Sequence, residues 1–504
     1  MLSRLLGSVL GALLFIPASS GFAAWAAPKT LTILHTNDTH AHLETFDSRG
    51  RKDVGGMARR ASLFQRIKQA ESAVLVLDAG DVFQGTPLFN FFSGEPDFIT
   101  MQQAGYDAIA VGNHDLDNGI GNLLLQAKHL KEPPISANLM GPSGKAFFPS
   151  HRIFERGGLK IAVIGAIGLN AFEAVAEGKR ANLVFRDPKT EIEKVVQSVR
   201  PHVDLVVLLT HIGHEEEIAL ARALPDVDLI VGGHSHTKVS KPKVVEHPHR
   251  HTLVAQAFQW GEYVGRIDLQ VDNRRIVAHR GKLIPVSSDI PQDPEIAKTI
   301  EAYSEQIAVQ MREVLGTSNL EFRNSRKREG DTPIGNLIAD AVRHETGTQV
   351  AFMNSGGIRA PLPKGSITLG MVYSMLPFEN TLVSFDCTGE DLQSILDFAA
   401  SRHGKSGSLQ VSGLSYTVAG GHATDVRVSG TPLIPTRRYS VATIDYVAQG
   451  NDGADVFRRL KNLKNTGVLV RDAFKRYLRE RKVLTLPAGG RIKTAPPIPS
   501  SVAP

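Results

Sequence analysis

The chain has 504 residues, 42% of them hydrophobic and 21% charged, with a net charge of +6 at pH 7 and a single cysteine, Cys387. That length exceeds what one hydrophobic core ordinarily supports, so two folded domains are expected, and one cysteine excludes an intramolecular disulfide. A mildly basic balance without a concentrated Lys/Arg block speaks against a nucleic-acid polymer as partner and is compatible with an anionic substrate.

The first element in chain order is a leader. Arg4 precedes an apolar run from Leu5 to Ile16, and small residues follow up to Ala24-Trp25-Ala26. This is the pattern of a secretory signal, too short to span a bilayer comfortably, so residues 1–26 are expected to be cleaved. With no lipidation cysteine or C-terminal anchor in view, a periplasmic protein without a membrane anchor is expected. From Leu31 to about Pro285 the runs "LTIL", "AVLVLD", "AIAVG", "KIAVIGAIG", "DLVVLLT", "VDLIVGG" and "TLVAQA" alternate with helical stretches, which predicts a layered α/β domain over 27–286. Residues 293–315 carry apolar positions at helical spacing, open on Asp-Pro-Glu and stop before Gly316. They predict a helix connecting two domains, within a linker assigned to 287–316. Beyond it, "TPIGNLIADAVRHETG" predicts a helix, "QVAFMNSGGIR" a strand entering a glycine-rich loop, and "GEDLQSILDFAASRH" another helix. Residues 317–491 therefore form a second mixed α/β domain, and 492–504 are expected to be a disordered tail.

Five of the apolar runs end in side chains that can hold metal. "LTILHTNDTH" delivers Asp38 and His40, which on an extended segment would point the same way; "VLVLDAGD" delivers Asp81, "AIAVGNH" Asn113, "VVLLTH" His211, and "LIVGGHSH" His234 and His236. A lone Asp or His at a strand end more often caps a loop. Seven in this order are hard to obtain by chance, and two carboxylates, one amide and four imidazoles exceed what one tetrahedral ion needs. The set suits two ions with a bridging carboxylate, the clamp used in phosphoryl chemistry. The tract "EHPHRH", with His247, His249 and His251, reads as a solvated loop. In "NSGGIR" the glycines permit close backbone approach, and the fork of Arg359 suits a pair of phosphate oxygens.

This ordered set resembles the calcineurin-like metallophosphoesterases, a layered sandwich fold. With its second domain, the mature chain is similar to the bacterial periplasmic 5′-nucleotidase and UDP-sugar hydrolase family. The resemblance implies one ion on Asp38, His40, Asp81 and His236 and another on Asp81, Asn113, His211 and His234, with Zn²⁺, Mn²⁺ or Co²⁺ as candidates. His236 stands where relatives often carry Gln or Asn. The resemblance also implies that His114 faces the substrate phosphate and that Asp117 orients its ring. Asp115 is left as a supporting residue. In the second domain it implies that Phe378 and Tyr446 sandwich the base, Asp452 takes a ribose hydroxyl, Asn354 contacts base or sugar, and Arg328 and Arg359 bind phosphate. Tyr446 replaces a more usual Phe, and Ser355 and Asn451 replace glycines. Asn324 stands where some relatives have a further arginine, with Arg323 and Arg326 unranked as substitutes. The implied activity is hydrolysis of nucleoside 5′-monophosphates, with UDP-sugars as a further substrate class. A 2′,3′-cyclic-nucleotide phosphodiesterase would share every metal ligand, a sulfur-compound hydrolase would share the scaffold, and a non-catalytic binder would have no need of His114 and Asp117.

Overall fold

The computed structural model describes residues 28–48, 50–323, 330–405 and 407–495, so the leader at 1–26 and the end of the tail at 496–504 lie outside the described residues. The N-terminal part is built on two sheets. One runs in the order Arg275–Pro285, Tyr263–Asp272, Lys29–Thr36, Val74–Asp78, Ala108–Ile109; the other in the order Lys243–Glu246, His251–Ala255, Leu229–Gly232, Leu205–His211, Leu159–Ile167, His151–Arg156. Strand alternation sorts their apolar side chains into three layers. Leu31, Ile33, Leu75 and Leu77 meet Ile161, Val163, Leu205 and Val207 between the sheets. Leu34, Val74 and Val76 face the helices outside the first sheet, and Ala162, Ile164, Val206 and Leu208 those outside the second. Every predicted run lies in or abuts one of these strands, although the strand within "AIAVG" is only Ala108–Ile109. The central strands are parallel, so their C-terminal ends emerge on one edge, where an α/β fold gathers its functional loops.

The connecting helix is shorter than expected, Pro294–Met311, and starts where the Asp293 side chain accepts from the backbone N–H groups of Glu295 and Ile296. Its buried face, Ile296, Ile300 and Ile307, joins the N-terminal core, and Met311 packs against both cores. The helix is thus packed on the N-terminal part, with its C-terminal end at the junction of the two cores. Residues 314–316, expected to belong to the linker, lie in the strand Val314–Ser318, which pairs with Gly365–Thr368 and Val483–Leu484. The C-terminal part has a five-stranded sheet, Leu409–Ser412, Val350–Asn354, Arg438–Ile444, Thr381–Thr388, Lys464–Leu469, around one large apolar cluster. Its helix Pro333–Thr346 ends on left-handed Gly347, and Gly389–Ser401 begins with a Thr388/Asp391 capping box. The expected tail begins too early: Ile492–Thr494 adds a parallel strand beside Leu414–Ala419, anchored by buried Ile492, while Lys493 and Thr494 are exposed.

Candidate metal centre and the cleft beside it

Asp38 and His40 follow the strand Lys29–Thr36, but not as extended chain. Both have left-handed backbone, φ 51° and 49°, as do Asp81 (56°), His234 (76°) and His236 (51°). The two side chains converge through this tight turn rather than through strand alternation, which corrects the sequence expectation. Left-handed backbone is unfavourable for residues with a Cβ and persists where the surroundings over-determine it. Here Asn37 does part of that work: its amide accepts from Ala257 N (2.6 Å) and donates to Phe258 O (2.8 Å) and Asp38 Oδ2 (2.6 Å). Asp115 does the same for the Asp81 loop, its buried carboxylate accepting from the backbone N–H groups of Gly112, Asp81, Val82 and Phe83.

Asp38, His40, Asp81 and His236 bring one donor atom each within 4.8 Å of one another. The tautomers follow from the outer ring nitrogens. His236 Nδ1 donates to Gln259 Oε1 (2.5 Å) and His40 Nδ1 faces Phe83 O (3.3 Å). The lone pairs of both Nε2 atoms therefore point at each other across 3.0 Å, an arrangement that a cation between them relieves. His236 Nε2 is also 3.1 Å from Asp38 Oδ1. His211 repeats the logic: Nδ1 donates to Ala79 O (2.8 Å), while buried Nε2 has no hydrogen bond and lies 3.1 Å from Asp81 Oδ2. His234 Nδ1 sits 3.0 Å from Asn113 Oδ1. These nitrogen and oxygen donors suit a borderline divalent ion.

His114 stands beside this cluster without offering it a side-chain donor. Its backbone N–H donates to Asp81 Oδ1 (2.8 Å), and its Nδ1 lies 2.9 Å from Asp117 Oδ2. Burial disfavours the imidazolium, but Asp117 and then Asp81 overcome it and raise the pKa above the ordinary histidine value. The ring is 5.3 Å from that of His40 and 5.6 Å from that of Phe378, which belongs to the C-terminal part. Arg359 lies over Phe378 (5.8 Å), and its charge is felt at His40 and His114. Tyr446 Oη is 3.3 Å from both Asp452 Oδ1 and Ala174 O, the latter across the cleft. Asn354 donates to Asp452 Oδ2 (3.2 Å) and keeps a buried Oδ1 without a partner. The left-handed residues in this loop are Gly450, Asp452 and Gly453 (φ 84°, 58° and 77°), not Asn451, whose amide instead donates to Tyr446 O (2.8 Å). Ser355 is accommodated by bonding Ser408.

Arg328, Asn324 and Arg326 lie outside the described residues. Arg323 is exposed and turned to Glu321. His247 bonds Thr252 in the loop before His251–Ala255, away from the donor cluster. His42 stacks on Trp260 at 4.9 Å, and a cavity of about 1230 Å³ lined by His40, Gln84, Trp260 and Arg359 opens beside the donors. Sequence reasoning missed Asn37 and Gln259; neither carries a motif that distinguishes it from an ordinary polar loop residue.

Residues 31–238 match the family model for calcineurin-like phosphoesterase, and residues 313–459 the one for the 5′-nucleotidase C-terminal domain. The chain is 32% identical to the 5′-nucleotidase of Vibrio vulnificus over 90% of this chain and 91% of that protein. It is 31% identical to protein UshA of Escherichia coli over 93% and 95%. The crystal structure of a 5′-nucleotidase precursor from Thermus thermophilus matches with a TM-score of 0.86 and 34% identity, covering 92% of this chain and 99% of that one.

Proposed function

The chain belongs to the family that joins a calcineurin-like phosphoesterase domain to a 5′-nucleotidase C-terminal domain and is a metal-dependent phosphoester hydrolase; on that premise we propose an exported two-metal 5′-nucleotidase that converts nucleoside 5′-monophosphates to nucleoside and phosphate. UDP-sugars are the further substrate class, and nucleotide scavenging in the periplasm is the setting. The leader pattern at 1–26 supports export, and among the described residues no helix is long and apolar enough to cross a membrane. Asp38, His40, Asp81 and His236 would hold one divalent ion, and Asp81, Asn113, His211 and His234 the other, with Asp81 shared; Zn²⁺, Mn²⁺ and Co²⁺ all suit this donor set. When bound, such a pair supplies Lewis-acid charge stabilisation and activates the attacking water.

The protein's own groups do the rest. His114, kept protonated by Asp117, hydrogen-bonds a phosphoryl oxygen and stabilises the charge that develops there. Arg359 and Arg328 bind the remaining oxygens, bidentate geometry being the strength of the guanidinium. Phe378 and Tyr446 stack the base, Asp452 takes a ribose hydroxyl, and Asn354 reads a polar edge of base or sugar. Binding and release proceed through rotation of the C-terminal domain about the end of the connecting helix. The observation that supports this reading is the position of the His114 ring, 5.3 Å from that of His40 and 5.6 Å from that of Phe378, between a proposed metal ligand and a proposed base-stacking residue. The test is phosphate release by the mature protein, stripped and reconstituted with Mn²⁺, Zn²⁺ or Co²⁺, from AMP, UDP-glucose and 2′,3′-cyclic AMP. Chelator-sensitive release from AMP is expected. Turnover of the cyclic substrate alone would replace the nucleotidase reading with a cyclic phosphodiesterase, and silence on all three would leave a binding protein.

A further inference from the structure

Residues 233–237 form a short loop that carries His234 and His236, one donor for each proposed ion. Both histidines are left-handed, so the loop needs outside support to hold them. That support comes from Gln256, a fully buried residue just beyond the strand His251–Ala255. Its Nε2 donates to Gly233 O (2.9 Å) and to Glu217 Oε2 (2.9 Å). Its Oε1 accepts from Thr237 N (3.1 Å) and Ser235 Oγ (3.0 Å). One amide therefore holds the loop before His234, between the two histidines and after His236.

Glu217, also fully buried, supplies the seat. It accepts from Gly233 N (3.2 Å) and from the hydroxyl of Thr210 (3.4 Å), the residue before His211. Gly232 makes this approach possible, since a Cβ there would meet the Glu217 carboxyl at 2.0 Å. The position demands donors on one side and acceptors on the other, which a carboxamide provides: a carboxylate loses the donors, and a hydrocarbon loses both, leaving Gly233 O buried and unpaired and Thr237 N without its acceptor.

We propose that Gln256, seated on Glu217, is a positioning residue that sets the placement of His234 and His236 and thereby the affinity of both ions. The inference rests on these histidines being ligands, as proposed above. Gln256 itself contributes no atom to the donor cluster.

The experiment is Co²⁺ and Zn²⁺ binding to the metal-stripped full chain, by competition with a chromophoric chelator and by the visible absorption of the Co²⁺ form. Gln256→Leu is expected to weaken binding about 10- to 100-fold. Gln410→Leu, at a buried amide that holds Thr332 in the C-terminal part, is expected to leave it within about threefold. Should Gln256→Leu fail to fold, Gln256→Glu is compared with the double exchange Gln256→Glu and Glu217→Gln, which restores a donor facing a carboxylate. Tighter binding by the double exchange supports the proposal; equal binding overturns it. A Gln256→Leu protein that binds Co²⁺ as the parent does, or loses no more than Gln410→Leu, overturns it as well. His234→Ala and His236→Ala in the same assay report on the ligand reading. Parent-like binding by both would sink that reading and the inference with it, whereas weakened binding by both beside an unaffected Gln256→Leu removes the inference alone.

Discussion

Replacing His114 by alanine should separate chemistry from metal retention. The bond that links this residue to the donor cluster runs from its backbone N–H to Asp81 Oδ1, 2.8 Å, and survives the substitution. The imidazole hydrogen-bonds Asp117 and lies beside both His40 and Phe378 without supplying a donor atom to the cluster. Removing a preorganised donor to the charge developing on a phosphoryl oxygen costs about 2.7–4 kcal/mol, a factor of about 10²–10³ in kcat. Asp117→Asn is milder, because the amide oxygen still accepts from Nδ1. What it loses is the charge assistance, about 0.5–2 kcal/mol or roughly 2- to 30-fold. The pH dependence follows in sign. Asp117 and Asp81 raise the pKa of His114, so a protonated ring is retained until pH rises through that raised value, and kcat falls beyond it; Asp117→Asn should move this alkaline limb to lower pH. The assay is phosphate release from saturating AMP with elemental analysis of the same samples. Loss of metal in step with activity in His114→Ala, or a kcat within about threefold of the parent, would refute the division of roles.

Gly112→Ala should abolish metal binding, because a Cβ there would sit 2.3 Å from both Asp81 N and Asp81 Oδ1 and displace that carboxylate; normal metal content by elemental analysis would contradict it. Phe378→Ala and Tyr446→Ala should each raise KM for AMP about 5- to 150-fold, from about 1–3 kcal/mol of base stacking, while KM for ribose 5-phosphate, which has no base, stays unchanged. His35 is buried without a partner for Nδ1, and burial lowers its pKa to about 4. The unfolded chain takes up this proton near pH 6.5 and the folded one does not, so stability falls as pH drops from 6.5 to 4, by about 3 kcal/mol from this residue. His35→Leu should flatten that limb in urea titrations, and an unchanged difference between pH 7 and pH 4 would rule it out.

Much of the fold is legible in the sequence because its signals are local. In the N-terminal part, seven short aliphatic runs placed seven of the eleven strands that form the two sheets, and a change of residue type at their ends marked where the donors emerge. The candidates Asp38, His40, Asp81, Asn113, His211, His234 and His236 come from short motifs, each placed where a buried strand ends, and His114 and Asp117 from the resemblance that those motifs carry. The capped helices Pro333–Thr346 and Gly389–Ser401 were legible for the same reason.

What the tertiary structure alone decided involves groups that meet across long stretches of chain. No motif marks Asn37, Gln259 or Gln256, because an amide in a loop acquires meaning only from the backbone groups that reach it from 19 or 220 residues away. The convergence of Asp38 and His40 depends on left-handed backbone that no periodicity reports. The connecting helix had the apolar spacing of a helix, but that spacing could not say which core would bury Ile296, Ile300 and Ile307. Nor could it say that Phe378 would stand beside His114. Secondary structure follows from side-chain patterns a few residues wide; a site follows from burial, which leaves each polar group to find whatever partner the folded chain brings within about 3 Å.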